Sequence, residues 1–310
     1  MKEIKNVAVI GGGLMGCGIA QVFAGSEFLK VNVFDSFVSG DKILGRVISN
    51  LELLRQKDVF TKSDIKAIIG RISTFDNLAE AVRNADFIVE CIPENMELKQ
   101  QLFMELEPFC RQETILATNT SVMSITEISQ KAVNKGRIVG THFWNPPYLI
   151  PLVEVVKSDY TSEDVMDSVM SILKNVGKHP IRVNKDVPGF VANRLQHALW
   201  REAISIVERG IADAATVDEA IKMSFGLRLP VLAPMENSDM IGTDLTLSIH
   251  SYILKHIENS TEPSILLKNK VQAGELGFKT GRGFQDWTSE QIEESRKRLT
   301  EYLIKAIYHK

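Results

Sequence analysis

The stretch Val7-Ala8-Val9-Ile10-Gly11-Gly12-Gly13-Leu14-Met15-Gly16 decides the fold of this 310-residue chain. Its four apolar residues are typical of a buried strand, and a helical pattern follows over Met15–Ala24. Gly11 permits a tight turn, Gly13 lets the backbone approach a pyrophosphate, and Gly16 lets the helix pack close to the strand. Strand, glycine turn and helix in this order predict a dinucleotide site.

An acidic residue at the end of the second predicted strand indicates which dinucleotide binds. The amides of Leu14, Met15 and Gly16 and the helix dipole favour the negative pyrophosphate. Asp35 lies about 20 residues after Gly16, where a carboxylate accepts hydrogen bonds from the adenosine ribose and repels a 2′-phosphate. We therefore predict NAD as the cofactor. A glycine turn that only tightens a strand–helix corner, and a site for FAD, are the alternatives.

Short apolar runs alternate with helical patterns through the first part of the chain. This alternation predicts an α/β fold with a Rossmann-type, doubly wound sheet. A helical-hairpin insertion is predicted over Ile43–Arg55 and Ser63–Ile69, between the second and third predicted strands. Further strands are predicted at Val31–Phe34, Phe87–Val89, Ile115–Ala117, Ile138–Gly140, Leu152–Val156 and Ile181–Val183.

The pattern changes after Val187-Pro188-Gly189. Strand signals nearly vanish and a period of about 3.6 residues takes over. We predict two domains, an NAD-binding domain over residues 1–187 and an all-α C-terminal domain over residues 188–310. Helices of the second domain are predicted at Ala192–Arg209, Thr216–Ser224, Thr246–Glu258 and Pro263–Ala273.

Composition and charge exclude several classes of protein. The net charge of −3 shows no basic excess for nucleic acid or an anionic membrane. No apolar run approaches the roughly 18 residues of a membrane span, and no targeting pattern precedes the first strand. The three cysteines, Cys17, Cys91 and Cys110, have neither disulfide nor metal spacing. We expect a cytoplasmic protein with a small-molecule substrate and no metal.

A histidine and a carboxylate on adjacent elements are the candidate catalytic pair. His142 follows a predicted strand, so it lies at the edge of the sheet where ligands bind. Its imidazole suits the role of proton acceptor for an alcohol. Glu154 lies in an otherwise apolar strand, where a carboxylate needs a partner. We predict that the two form a dyad. A structural loop histidine and an edge-strand carboxylate facing water are the alternative interpretations.

Two polar segments complete the candidate site. Asn119-Thr120-Ser121 follows the strand at Ile115–Ala117, and Asn193 lies where the second domain begins. Such residues are also common as helix caps, and capping is an equal alternative for Thr120. It is a weaker one for Asn193, which falls inside the predicted helix start.

Several separated motifs, in one order, resemble the L-3-hydroxyacyl-CoA dehydrogenase family over nearly the whole chain. This resemblance implies a reversible NAD-dependent oxidation of the 3-hydroxyl of an L-3-hydroxyacyl-CoA to the 3-ketoacyl-CoA, in fatty acid metabolism. It also implies a homodimer formed by the helical domain. The motifs are Gly11–Gly16, Glu90–Asn95, Asn119–Ser121, His142–Pro146, Leu152–Val155, Pro188–Phe190 with Asn193-Arg194, and Gly277–Phe284.

The resemblance also assigns roles to residues. His142 would be the general base, Glu154 its partner, and Ser121 and Asn193 would bind the reacting oxygen. The helical insertion would contact coenzyme A. Contacts around the nicotinamide and its ribose would come from Glu94, Lys99 and Asn119.

The chain departs from the family pattern in ways that bear on the substrate. Val122 stands where the family has a second serine, and Trp144 where it has phenylalanine. Gln285 replaces a tyrosine, and Phe225–Pro230 replaces a segment rich in glycine and proline. The double proline of Asn145–Tyr148 is more similar to the carnitine and gulonate dehydrogenase branch, and so is Asn193-Arg194-Leu195-Gln196.

These departures leave open whether the substrate carries coenzyme A. One alternative is a dehydrogenase of a free 3-hydroxy acid, such as carnitine or L-gulonate. Another is a non-catalytic NAD-binding protein like the related lens crystallins. Arg228 could pair with a free carboxylate or be a surface arginine. Four basic residues of the insertion could bind phosphate or simply face solvent, namely Arg46, Arg55, Lys57 and Lys62.

Overall fold

An eight-stranded sheet forms the first part of the protein in a computed structural model that describes residues 4–308. The strand order is β3-β2-β1-β4-β5-β6-β7-β8. Neighbours from β3 to β6 are parallel, β6 and β7 are antiparallel, and β7 and β8 are parallel. The strands are β1 (Asn6–Ile10), β2 (Lys30–Phe34), β3 (Ile72–Phe75), β4 (Phe87–Glu90), β5 (Ile115–Thr118), β6 (Ile138–Phe143), β7 (Leu152–Val156) and β8 (His179–Val183).

Helices connect these strands and are the regular elements of the described chain after β8, which confirms the predicted fold class. No helix within residues 4–308 is long and apolar enough to cross a bilayer. The helices are α1 (Leu14–Ala24), α2 (Gly40–Arg55), α3 (Lys62–Ile69), α4 (Leu78–Val82), α5 (Met96–Leu106), α6 (Ile125–Ile128), α7 (Glu163–Asn175), α8 (Ala192–Glu208), α9 (Ala214–Lys222), α10 (Phe225–Arg228), α11 (Pro234–Ile241), α12 (Thr243–Ile253), α13 (Ile265–Gln272) and α14 (Ser289–Tyr308).

Helices cover both faces of the sheet, so its central strands are buried on both sides. In β1, Val7 and Val9 face a core that includes α1, α2, α3 and α7. Ala8 and Ile10 face the opposite core, which includes α4, α5 and α6. Side chains alternate across a strand. The continuous apolar run of β1 is therefore what a doubly covered parallel strand requires.

The strand order reverses at β1, which lies between β2 and β4. At such a point the crossovers leave on opposite faces, and a crevice opens at the carboxyl ends of the strands. The glycine turn follows the end of β1, Asp35 follows the end of β2, and Asn119 follows the end of β5. The topology therefore brings the predicted cofactor residues to one edge of the sheet.

Several element bounds differ from the sequence-based expectation, and His142 lies within β6 rather than after its end. The edge strand β3 was not predicted, because only Ile72 of its four residues is buried and no apolar run marks it. Helix α9 begins at Ala214 rather than at Thr216. The cap is Asp213, whose carboxylate accepts a hydrogen bond from the Thr216 amide at 2.8 Å.

The described chain folds into two compact units. One contains the described residues up to Asn193 together with those from Thr300 onward, and the other is Arg194–Leu299. The end of α14 belongs to the first unit because Ile304 is buried with Leu54 and Leu149. The predicted boundary between residues 187 and 188 stays a prediction.

Candidate active site

The glycine turn after β1 is built for a close approach of another molecule. Gly11 has a φ of +112°, and a β-carbon there would lie 2.7 Å from the Cys91 carbonyl oxygen. A β-carbon on Gly16 would lie 1.8 Å from the Gly11 oxygen. A β-carbon on Gly13, in contrast, would meet no heavy atom of the described residues within 4 Å. Gly11 and Gly16 are therefore required by the tight turn itself, whereas Gly13 leaves open space beside the backbone.

The same turn leaves donors for an anion. Gly13 is the N-cap of α1, and no side chain of the described chain caps this helix. The first amides of a helix have no intrahelical partner, so those of Leu14, Met15 and Gly16 remain for a ligand. Free amides, the helix dipole and the open space over Gly13 together suit a pyrophosphate. The residues present therefore fit NAD.

Asp35 is held by backbone amides at the end of β2. Its Oδ2 accepts a hydrogen bond from Gly12 N at 2.6 Å, and its Oδ1 accepts from Phe37 N and Val38 N at 2.7 and 2.9 Å. Partial burial raises the pKa of Asp35, but these three hydrogen bonds outweigh it, so the net pKa is lowered. Because the Arg46 guanidinium donates to Gly12 O at 2.6 Å, it also lies near this carboxylate and stabilises its charge.

His142 and Glu154 form the predicted pair. They are register partners on the antiparallel strands β6 and β7, so their side chains project from the same face. His142 Nδ1 lies 2.8 Å from Glu154 Oε2. Glu154 has no exposed surface and His142 is 5% exposed. The contact therefore lies out of bulk water, where an ionic hydrogen bond is stronger.

Glu154 is held ionised by more than His142. Its Oε1 accepts hydrogen bonds from Val191 N at 2.9 Å and Ala192 N at 3.0 Å, and Trp144 Nε1 lies 3.4 Å from Oε2. Burial raises the pKa of Glu154, but the hydrogen bonds from His142 and the two amides lower it below its ordinary value. An ionised carboxylate only accepts, so Nδ1 of His142 carries the hydrogen and Nε2 offers a lone pair.

Ser121 and Asn193 lie in direct contact. The Asn193 Nδ2 donates to the Ser121 carbonyl oxygen at 3.0 Å. Asn193 is the second residue of α8 and Ser124 is the N-cap of α6, so neither Ser121 nor Asn193 caps a helix. Thr120, in contrast, bonds to the backbone of its own loop, because its hydroxyl accepts a hydrogen bond from Met123 N at 3.1 Å. Within residues 4–308 the Ser121 hydroxyl has no hydrogen-bond partner, which leaves it available to a ligand.

Asn119 and Glu94 hold the loop that carries Ser121. The Asn119 amide oxygen accepts from Phe143 N at 2.9 Å, which joins the ends of β5 and β6. Glu94 Oε1 accepts from Ser121 N at 2.5 Å and from the Thr120 hydroxyl at 3.0 Å. The structure thus brings Glu94 and Asn119 to the same edge as the glycine turn, and their cofactor contacts stay predictions.

Lys99 lies deeper than a cofactor contact requires. It is 1% exposed, and its ammonium lies 2.6 Å from Glu90 Oε1, 3.2 Å from Ile92 O and 3.4 Å from Glu94 Oε2. These three oxygens match the three hydrogens of the ammonium. In this geometry Lys99 supports Glu94 from behind, and its own contact with the cofactor stays a prediction.

Glu90 is a residue of this network to which the sequence analysis assigned no role. It is fully buried, and its Oε2 accepts from the Thr118 hydroxyl at 2.6 Å while its Oε1 accepts from Ile92 N at 2.7 Å. Burial raises the pKa of Glu90, and the ammonium of Lys99 and these hydrogen bonds offset part of that rise. A single charge at the end of the apolar strand β4 was the signal that could have revealed it.

Comparison with known proteins agrees with the fold. The family model for the 3-hydroxyacyl-CoA dehydrogenase NAD binding domain matches residues 6–187, and the model for the C-terminal domain of the same enzymes matches residues 189–287. The protein is therefore an NAD-dependent oxidoreductase that acts on CH–OH groups. More specifically, the chain belongs to the 3-hydroxyacyl-CoA dehydrogenase family.

Relatives in this family act on different kinds of substrate. A probable 3-hydroxybutyryl-CoA dehydrogenase of Bacillus subtilis is 39% identical, over 92% of this chain and 98% of that protein. The 5-formyl-3-hydroxy-2-methylpyridine 4-carboxylate 5-dehydrogenase of Mesorhizobium japonicum is 32% identical, over 94% of this chain and 93% of that protein. A solved structure of an enzyme of the latter name, an NAD⁺-dependent dismutase, has a TM-score of 0.88 at 31% identity, covering 98% of this chain and 97% of its own.

Proposed function

We propose that this protein catalyses the reversible oxidation of the 3-hydroxyl of an L-3-hydroxyacyl-CoA to the 3-ketoacyl-CoA. The observation that carries the proposal is the buried contact of His142 with Glu154 at 2.8 Å, on the sheet that also bears the NAD turn. The names of relatives such as the Bacillus subtilis protein support the acyl-CoA substrate. That reaction would belong to fatty acid metabolism.

The proposed proton acceptor is Nε2 of His142. Glu154 holds the hydrogen on Nδ1, so the lone pair of Nε2 takes the hydroxyl proton of the substrate and keeps it as imidazolium. The buried carboxylate stabilises the positive ring that results. NAD, when bound, supplies the hydride acceptor. In the reverse direction the imidazolium returns its proton to the oxygen of the ketone.

Ser121 and Asn193 are proposed to position the reacting oxygen. Asn193 uses one hydrogen of its amide on the Ser121 carbonyl, which orients the side chain and leaves a second hydrogen for the substrate. The Ser121 hydroxyl supplies another donor. Donors that are already in place when charge develops on the oxygen lower the barrier, because they need no reorganisation.

The proposed cofactor residues act by position and charge. Gly11, Gly13 and Gly16 shape the turn, and the amides of Leu14 and Met15 hold the pyrophosphate. A carboxylate has about four lone-pair sites, and three of those of Asp35 accept from backbone amides. Asp35 therefore retains acceptor capacity for the ribose hydroxyls. Around the nicotinamide we propose Glu94, Asn119 and Lys99.

A second candidate substrate is a free hydroxy acid without coenzyme A. Three of the four basic residues of the insertion are already engaged. Arg55 pairs with Glu52 and Lys57 with Glu301, each at 2.6 Å, and Arg46 donates to a backbone oxygen. Side chains so engaged are less available to the phosphates of coenzyme A. The Mesorhizobium japonicum relative, whose name specifies a pyridine carboxylate, supports the same alternative. A pairing of Arg228 with such a carboxylate stays a prediction.

The experiment that tests the proposal measures kcat/KM for NADH oxidation with acetoacetyl-CoA and with free acetoacetate. We expect acetoacetyl-CoA to be preferred at least about 100-fold, and His142→Gln to lower kcat by orders of magnitude with little change in NADH affinity. Preference for the free acid would select the second candidate. Tight NADH binding without turnover of either substrate, or full activity of His142→Gln, would refute the proposed function.

We also propose that the helical unit forms a homodimer. In α11 and α12 no described residue is buried, and Met235, Leu247 and Tyr252 are 76%, 69% and 70% exposed. Large apolar side chains exposed along two consecutive helices favour an interface. Light scattering should give about twice the chain mass of 34.6 kDa. Leu247→Asp should lower that value, and Lys255→Asp should not. A monomeric wild-type protein at micromolar concentration would contradict the dimer.

A further inference from the structure

A cavity of about 420 Å³ lies in the first unit. It is lined by the end of α1, the loop after β6, the turn after α7 and the end of α14. None of its lining residues belongs to the glycine turn, to the His142–Glu154 pair or to the Ser121–Asn193 contact. Its volume corresponds to roughly a dozen waters at about 30 Å³ each, which is enough for a small organic molecule.

Gln21 lines this cavity with a polar side chain. Its side chain is only 4% exposed, and Oε1 has no hydrogen-bond partner among the described residues. A buried polar atom without a partner is destabilising, and native proteins seldom leave one unexplained. A half turn of the terminal amide directs either its oxygen or its NH₂ group into the cavity, so Gln21 can serve a ligand as acceptor or donor.

Lys178 brings a positive charge without a matching negative one. Its ammonium donates to the carbonyl oxygens of Pro147 and Ile150, and no carboxylate within residues 4–308 forms an ion pair with it. Two of its three hydrogens are thus used, and neither goes to an anion. Burial lowers the pKa of Lys178 to about 8, the result expected for an ammonium that lacks a counter-charge. Glu27, which also lines the cavity, is exposed.

The remaining lining combines one more polar group with an apolar wall. The Tyr148 hydroxyl makes no hydrogen bond within the described chain, and burial raises the pKa of this phenol. Leu51, Phe60 and Ile307 supply apolar surface. Donors gathered beside such a wall are the usual composition of a small-molecule site. Since the donors include a cation, the complementary ligand is an anion.

We propose that this cavity binds a small organic monocarboxylate with an apolar tail. The carboxylate lies at the ammonium of Lys178 and accepts from the Tyr148 hydroxyl and the Gln21 amide. The tail lies along the apolar wall. Binding gives the buried ammonium its missing counter-charge and gives the NH₂ group of Gln21 an acceptor. The site contains none of the proposed catalytic residues, so ligand binding there can be tested independently of the proposed reaction.

The test uses octanoate as the probe and isothermal titration calorimetry on the full chain. We expect a Kd of about 1 mM or tighter at pH 7, as for a ligand of about ten heavy atoms. 1-Octanol, which has the same tail without charge, should bind at least about tenfold more weakly. Lys178→Met should weaken octanoate binding at least about tenfold, whereas Lys174→Met, an exposed lysine near the end of α7, should not.

A second readout follows the lysine itself. An anion beside an ammonium favours its charged form, so saturating octanoate should raise the pKa of Lys178 above about 8, measured by NMR of the side chain. Octanoate affinity should also fall as the pH rises through 8. Should Lys178→Met not fold, Gln21→Leu provides the comparison and should weaken binding. No binding at 20 mM octanoate (about twentyfold above the expected Kd) would overturn the proposal. So would equal octanoate affinities of the Lys178→Met and Lys174→Met variants.

Discussion

Replacement of Glu154 by glutamine tests how the buried pair works. Glu154 accepts from His142 on one oxygen and from the amides of Val191 and Ala192 on the other. In Glu154→Gln the single oxygen stays with the two amides, because they cannot become acceptors. The new NH₂ group then faces Nδ1 of His142, which must accept instead of donate. The hydrogen moves to Nε2, the atom proposed to act as base.

Two losses set the size of the expected effect. A hydrogen bond to a charged group is worth about 1.5–3 kcal/mol, so loss of imidazolium stabilisation alone lowers kcat about 10- to 150-fold. The wrong tautomer adds to this, and the equivalent change in a serine-protease triad costs about 10⁴-fold. We therefore expect kcat to fall by about 10² to 10⁴. NADH affinity should change less than about threefold, because Glu154 does not contact the glycine turn.

The assay is steady-state NADH oxidation with the preferred substrate, with NADH affinity from fluorescence titration and thermal melting as a check of folding. Glu105→Gln, an exposed carboxylate on α5, is the matched control and should retain full kcat. A folded Glu154→Gln enzyme with kcat within about threefold of wild type would refute the reasoning. So would a loss confined to KM, since the carboxylate is proposed to act on the proton and not on substrate affinity.

Three further predictions concern the cofactor turn and stability. Gly16→Ala should weaken NADH binding at least about 100-fold by calorimetry, because its β-carbon would lie 1.8 Å from the Gly11 oxygen; the control Gly45→Ala meets open space in α2 and should bind normally. Unchanged binding by Gly16→Ala would contradict the tight turn. Asp35→Ser should shift the NADPH/NADH ratio of kcat/KM towards NADPH at least about tenfold, since repulsion of the 2′-phosphate is removed, and an unchanged ratio would show that Asp35 does not select the cofactor. Folding lowers the pKa values of Asp35 and Glu154 below those of the unfolded chain, near 4, so the native state binds fewer protons in that window. The melting temperature should therefore fall as the pH drops from about 5 towards 3, and a flat profile would contradict these shifts.

Local patterns were sufficient for the central strands and for the cofactor turn. The apolar run of β1 follows from burial on both faces, and a turn as tight as Gly11–Gly16 demands glycine, so both leave a mark in the sequence. Elements at the edge of the sheet or at a helix end have a weaker sequence pattern. Strand β3 buries only Ile72 and therefore lacks an apolar run that could be recognised in the sequence. Helix α9 begins earlier than predicted because its N-cap, Asp213, lies outside the apolar pattern.

Residue identity by itself determined the dinucleotide turn, the acid that follows β2 and the pairing of one histidine with one carboxylate. Each of these depends on a short stretch of chain or on a rule that a buried charge needs a partner. Only the tertiary structure decided the partners of Lys99 and Glu90, and the meeting of Gln21 with Lys178 around one cavity. Lys99 lies in the helix that directly follows Glu90, but Thr118 of β5 comes from the next strand, and Gln21 and Lys178 come from separate crossovers. The physical reason is that a parallel sheet brings distant segments together through strand order, which no local pattern records.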